Sequence, residues 1–343
     1  ALMGLAKDYG DTNFVTGMRA WAALAVVLIH AGGGGLRQLG PIGNALADFG
    51  MTGVYAFFVI SGFSVCASLR NSGSYGSYLV RRAFRLLPPY FLIIAWAGYS
   101  AGADATDMAL HFALLNWISV DTANSILSVE WSIPIEAAWY ILLPPLLVVA
   151  SRSAWWCAGV LLAAFVSYYV ATAAYRVAGL PILAFHYSPL RYAFLFALGM
   201  SAYLIRSWYP PQADRYSDGA VLAAAAIIAS HVLWDFSSPY LAAGLATWVI
   251  VAMGQGGSLL VRMLFSNRPA IFVGTVSYSV YLLHVLVLGH VREYVAAPFL
   301  VFVFAAAASV AVSCITYLAV ERPSVRLGSL VARALEQRRL SAA

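Results

Sequence analysis

Long, unbroken apolar runs limit what this chain can fold into more than any other feature. Ten can be counted, near residues 15–32, 50–69, 88–102, 131–150, 154–172, 189–207, 218–234, 239–254, 269–289 and 298–320. Most approach the roughly 20 residues that a helix needs to cross hydrocarbon. None shows the dyad alternation of barrel strands. The expected fold class is therefore all-α, a polytopic membrane protein of about ten transmembrane helices. Composition agrees: 10% of the 343 residues are charged and 62% are hydrophobic, where an average soluble domain has about 25% charged. The run near 88 is short, and the pair between 218 and 254 divides in more than one way.

Charge orients the spans. With the N-terminus inside, Arg37, Arg176 and Arg292 fall in outer loops and Arg19 and Arg191 at span ends, so that fifteen of the 20 Lys and Arg residues occupy inner segments. This is the positive-inside pattern. The long outer loop at 103–128 carries Asp104, Asp107 and Asp121 and no basic residue. An even number of spans returns the C-terminus to the cytoplasm. The net charge of +6 is thus a topology signal, and no nucleic-acid partner is expected. Residues 1–343 read as one transmembrane domain, with 1–14 as an N-terminal segment and 328–343 as a basic cytoplasmic tail. Asp8 and Asp11 suit the start of a cleaved signal poorly, so the first run is read as retained. Cys66, Cys157 and Cys314 lie in apolar helices and have no metal-ligand spacing.

Six places break the apolar pattern. Arg19 and His30 are 11 residues apart, about three helical turns, so both face one way on the first span, roughly 16 Å apart. Ionisable groups inside a membrane helix are costly and usually functional, although a histidine at a span end can also be merely interfacial. Arginine suits an anionic phosphate or carboxylate, and histidine suits a general base. Ser61-Gly62, set among aromatics, is either a close helix-packing point or a cavity wall. Arg82 and Arg85 share a face of an inner loop ahead of Pro88 and Pro89; positive-inside bias explains them, and so would a grip on nucleotide phosphates. Ser132, Glu136 and Tyr140 form a stripe at i, i+4 and i+8 beside Trp131. Glu130, one residue before Trp131, is expected to be solvated, whereas Glu136 is deeper and needs a partner, an arginine being the structural option. Ser277, Tyr281 and His284 follow i, i+4, i+7, which puts His284 at a depth comparable to His30. His290 reads as interfacial, and Glu321-Arg322-Pro323 as a helix-terminating anchor.

No Walker loop, dinucleotide glycine pattern, nucleophile elbow or zinc spacing is present. Taken in order, the motifs resemble the membrane acyltransferase family 3: arginine, ten residues and histidine in the first span (Arg19, His30); an aromatic segment ending Ser-Gly-Phe (Ser61 to Phe63); Arg-x-x-Arg on the inner side (Arg82, Arg85); Trp-Ser-x-x-x-Glu and an aromatic pair (Trp131, Ser132, Glu136, Trp139, Tyr140); Ser-Tyr-Ser-x-Tyr-Leu-x-His (Ser277 to His284); and a final Glu-Arg-Pro. Family members often carry a polar residue after the glutamate, where this chain has Ala137 and Ala138.

The resemblance implies transfer of an acyl group, most often acetyl, from cytoplasmic acyl-CoA as co-substrate to a hydroxyl of an extracytoplasmic sugar, glycan or glycolipid. The setting it implies is the bacterial inner (cytoplasmic) membrane, with no metal; a homo-oligomer is left open. It implies essential roles for His30 and Arg19 and CoA binding by Arg82 and Arg85. Some members append a soluble hydrolase-like domain; the expectation here is the form without one, acting alone or with a separate partner. The expected path takes CoA phosphates to Arg82 and Arg85, with Arg19 deeper and the pantetheine arm reaching toward His30. Ser61 and Gly62 would line the acyl pocket, and Trp131, Ser132, Tyr281 and His284 the substrate side. His30 would act as general base or carry the acyl group, oriented by Glu136 or His284. The competing reading is a transporter for a sugar or a proton-coupled substrate, since polar stripes in a helical bundle serve that as well.

Overall fold

The computed structural model describes residues 12–177, 187–210, 214–234 and 238–341. Lys7, Asp8 and Asp11 lie outside them, as do the side chains of Arg176 and Arg215. All regular structure among the described residues is helical. Every apolar run falls on a helix. Six stretches are long and apolar enough to cross a membrane: Asn13–His30, Pro41–Arg70, Ser132–Ala150, Tyr216–Trp234, Arg268–Tyr294 and Pro298–Arg339. Ala154–Val170 and Pro239–Met253 are apolar but shorter. The protein is an integral membrane protein of the all-helical class.

The helices are α1 (Asn13–His30), α2 (Pro41–Phe49), α3 (Gly53–Arg70), α4 (Tyr75–Ala101), α5 (Ala105–Phe112), α6 (Val120–Ala123), α7 (Ser132–Ala150), α8 (Ala154–Val177), α9 (Ala193–Trp208), α10 (Asp214–Trp234), α11 (Pro239–Met253), α12 (Leu259–Leu264), α13 (Arg268–Tyr294), α14 (Pro298–Thr316) and α15 (Arg322–Ser341). They group into two compact units. One comprises 64–197 with 314–343, and the other 3–63 with 198–313.

In the first unit, α4 corrects the expected inner loop. Residues 78–90 are not a loop leading into a span that starts at Pro88: Arg82, Arg85, Pro88 and Pro89 all lie inside one 27-residue helix. α7 also contains a proline pair, Pro144-Pro145. A proline inside a helix deprives the carbonyl four residues earlier of its N–H donor. Here those carbonyls belong to Tyr140 and Ile141. The Tyr78 hydroxyl of α4 donates to the Tyr140 carbonyl at 3.0 Å, and the Tyr75 hydroxyl to that of Ile141 at 3.4 Å. The break is thereby re-satisfied from the neighbouring helix, which is what lipid-embedded backbone requires. α15 packs antiparallel on α4. The Ser77 hydroxyl donates to the Ala332 carbonyl at 3.2 Å, the Gly73 amide to Glu336 at 3.2 Å, and Gly328 admits the Phe84 side chain. The Glu321-Arg322-Pro323 sequence does not end the helix as expected. A π-helical turn, Tyr317–Glu321, rearranges main-chain pairing ahead of Pro323 and the chain continues as α15.

In the second unit, α1 and α13 lie close together. A Cβ on Gly274 would strike the Thr16 carbonyl, and one on Gly17 the Phe265 carbonyl. Trp21 donates to the Leu264 carbonyl at 2.7 Å. The N-terminal end of α1 is thus held level with that of α13, and the two run parallel. Arg206 departs from its place in the charge count. It is fully buried, donating to the carbonyls of Val251 at 3.2 Å and Gly254 at 2.6 Å with its guanidinium over the Phe14 ring. It caps the C-terminus of α11, where a cation is favoured.

Candidate active site

α1 ends immediately after His30, because Gly32 to Gly35 all take left-handed backbone angles, from φ +57° to +86°. Residues with a Cβ rarely adopt that conformation, so the glycine run stops the helix at this point. The Arg292 guanidinium caps the exit by donating to the His30 carbonyl at 2.6 Å. α13, parallel to α1, brings up His284. Its Nε2 lies 3.2 Å from His30 Nδ1, with the rings 4.9 Å apart. The expectation that His284 reaches the depth of His30 is met.

The hydrogens on this pair follow from its partners. His284 Nδ1 faces the Tyr281 carbonyl at 2.7 Å, and His30 Nδ1 faces the Val26 carbonyl at 2.8 Å. Carbonyl oxygens only accept, so each Nδ1 carries a hydrogen. His284 Nε2 then presents a lone pair to the His30 Nδ1–H, and the remaining lone pair of His30 sits on Nε2. His284 is completely buried and His30 half-buried. The one hydrogen on His30 Nδ1 is thus shared between the Val26 carbonyl and His284 Nε2, which together fix the tautomer and orientation of the ring and turn its basic nitrogen away from the pair. Tyr281 packs beside His284 with ring centroids 6.1 Å apart, and the Ser277 hydroxyl is engaged by the Gly274 carbonyl at 2.8 Å.

Arg19 is half-buried on the same face of α1, toward its N-terminal end. Ser61 and Gly62 are buried in α3. Gly199 has no side chain, and its backbone comes against the Val59 carbonyl, Gly62 Cα and the Phe63 amide. Gly62 therefore takes part in close helix packing, the first of its two sequence readings.

In the first unit, the guanidinium of Arg82 is buried. It donates to the Ser64 carbonyl and lies over the rings of Tyr140 and Tyr78, at 5.4 and 5.9 Å. Arg85, one turn on, is half-buried. The two arginines are thus unequal: Arg82 faces inward and Arg85 is the more open. The predicted stripe on α7 is present, with the Tyr140 hydroxyl donating to Glu136 at 2.7 Å. Trp131 stands between Tyr187 and Tyr192, 5.3 and 5.5 Å away, and Ser132 donates to the Val129 carbonyl at 3.4 Å.

Glu130 overturns its sequence reading. It is fully buried, accepting hydrogen bonds from the amides of Ile126 and Val129 and contacting His111 Nε2 at 3.3 Å. The turn folds back on its own carboxylate, which leaves no path to solvent. His111, also fully buried, went unnoticed in the sequence, where an isolated histidine in an outer loop has no periodic partner. No cluster of three or more His, Cys, Asp or Glu suited to a metal ion occurs among the described residues.

The pattern of the acyltransferase domain of family 3 matches residues 12–318. The chain belongs to acyltransferase family 3. It is similar to acyltransferase MdmB of Streptomyces mycarofaciens, with 26% identity over 309 residues that cover 80% of this chain and 79% of that one. No solved structure matches. Family 3 membership makes the protein a membrane acyltransferase, and the carrier reading gives way. The matched segment contains the histidine pair, Arg82, Arg85 and the α7 stripe.

Proposed function

We propose that this family 3 enzyme moves an acyl group, acetyl in the first instance, from cytoplasmic acyl-CoA to a hydroxyl of an extracytoplasmic sugar, glycan or glycolipid. The observation that carries the reading is the His30–His284 pair, which leaves one oriented imidazole nitrogen with a lone pair at the end of α1. His30 Nε2 takes the proton of the acceptor hydroxyl. The oxygen attacks the thioester carbonyl, the carbon–sulfur bond breaks, and the CoA sulfur leaves with the proton from His30. Ester and free CoA result, and the base is restored. Direct acyl transfer to His30 Nε2 is the second route, and a rapid quench with radiolabelled acetyl-CoA separates the two: label on the protein indicates the covalent one.

Arg85 is the open cation for the CoA phosphates, with Arg82 beside it holding Tyr78 and Tyr140 in place. Arg19 stabilises negative charge along the donor. Glu136, bonded to Tyr140, orients that face of α7, and Ser61 lines the acyl chain. Trp131, Ser132 and Tyr281 serve the acceptor side, an aromatic surface being suited to a sugar ring. Ten spans with both termini cytoplasmic, in a bacterial inner membrane and as one functional domain, complete the reading. The charge count supports its orientation.

Protein reconstituted in liposomes with labelled acetyl-CoA and a panel of sugar acceptors tests this. Release of CoA coupled to labelling of an acceptor is expected. Undiminished transfer by a well-folded His30→Ala variant would overturn it.

A further inference from the structure

Apart from the histidine pair, a buried polar cluster joins α5 to the turn that precedes α7. Glu130 Oε1 accepts from the Ile126 amide at 2.8 Å and contacts His111 Nε2 at 3.3 Å, while Oε2 accepts from the Val129 amide at 2.9 Å. Between those two amides is Ser128 at φ +65°, a left-handed conformation that a residue with a Cβ holds only under constraint. The carboxylate thus binds the chain on both sides of the strained residue. On its other side, His111 Nδ1 lies 2.8 Å from the Asp107 carbonyl and 3.2 Å from Asp107 Oδ1. Asp107 Oδ2 in turn accepts from the Ser125 hydroxyl at 2.7 Å, tying α5 to the same turn.

Both nitrogens of His111 face oxygens that accept, so the ring is held as a cation between two carboxylates. Two tyrosines also feel the Glu130 charge: Tyr187, and Tyr90 of α4, whose buried hydroxyl has no hydrogen-bond partner among the described residues. Burial works against the charge on His111. The Glu130 hydrogen bond, the Asp107 carbonyl and the two carboxylate charges outweigh it and lift the imidazole above its ordinary range. The clamp is therefore intact below the ordinary histidine value and opens as pH rises through the raised one.

We infer that His111 is a positioning residue for acyl transfer: clamped between Asp107 and Glu130, it fixes the turn that sets Trp131 and Ser132 at the head of α7. The inference rests on the reading of Trp131 and Ser132 as acceptor-side residues. A strained turn with no clamp would let both side chains shift, and displacement of a positioning group by about 1 Å costs up to about a hundredfold in rate.

The test uses the full-length enzyme in liposomes with acetyl-CoA and, as probe, whichever of a panel of methyl and octyl glycosides turns over fastest. Hydrogen–deuterium exchange of the 120–131 segment is followed in parallel. His111→Gln keeps a donor toward Glu130 and removes the charge. Expected are faster exchange at Ile126 and Val129, a rise in acceptor KM or fall in kcat of about tenfold to a hundredfold, an unchanged KM for acetyl-CoA, and loss of the wild-type decline at alkaline pH. If His111→Gln folds poorly, Glu130→Gln provides the same readouts, and His111→Lys, a permanent cation, should restore acceptor KM. Unchanged exchange overturns the inference, and so does faster exchange with unchanged acceptor kinetics. Trp131→Ala and Ser132→Ala are the control: if they leave acceptor kinetics unaltered, the acceptor-side reading itself has failed, whatever His111→Gln does.

Discussion

His284 and His111 are both completely buried, yet their surroundings ask opposite things of them. One nitrogen of His284 meets a carbonyl and the other meets an imidazole N–H, so the ring stays neutral and offers its lone pair to His30. Both nitrogens of His111 meet oxygen acceptors, so the ring is a cation and has no lone pair to offer. Burial alone does not tell a working histidine from a structural one. The count of acceptors around the ring does, because each acceptor demands a hydrogen and a ring with two hydrogens cannot act as a base.

The contrast breaks most sharply at His30. His30→Ala should cut turnover by about a thousandfold, within the range for loss of a general base, measured as CoA release from reconstituted protein. His284→Ala removes the lone pair that His30 Nδ1 addresses. A loss of about tenfold to a hundredfold is expected, as for other orienting partners, and His284→Gln, whose carbonyl can accept, should recover part of it. Equal losses for the Ala and Gln variants would mean that His284 only fills space. At the other cluster, His111→Ala leaves the buried Glu130 carboxylate short of a partner and should destabilise the fold by about 3 kcal/mol, seen as a lower thermal midpoint in detergent. The pH sense follows from the raised pKa of His111: its contribution is full below the ordinary histidine value and disappears as pH climbs through the folded value. Wild-type stability should fall on the alkaline side more than that of His111→Gln. Smallest is Tyr78→Phe, which strips one donor from the Tyr140 carbonyl and should cost about 1 kcal/mol with acetyl-CoA KM nearly unchanged.

Much of this was legible in the chain. The 11-residue step from Arg19 to His30 and the i, i+4, i+7 run to His284 are helical periodicity, and periodicity survives folding. The Ser132–Glu136–Tyr140 stripe was readable for the same reason. What escaped depends on partners far away in sequence or on local turns. Prolines at 88 and 89 read as the end of one element and the start of another, whereas α4 runs straight through them. Glu130 looked interfacial because a carboxylate satisfied by amides one and four residues before it leaves no periodic trace. Arg206 was indistinguishable from the topology-setting arginines until the carbonyls of Val251 and Gly254 came to meet it.

The proline pair of α7 and the tyrosines of α4 have a consequence for how the protein is made. Tyr140 and Ile141 carry carbonyls that their own helix cannot pair, and the hydroxyls that pair them belong to Tyr78 and Tyr75. During synthesis the tyrosines leave the ribosome more than sixty residues before the carbonyls do. When α7 partitions into the bilayer, its receptor is already there, and the helix that could not stand alone in lipid arrives second.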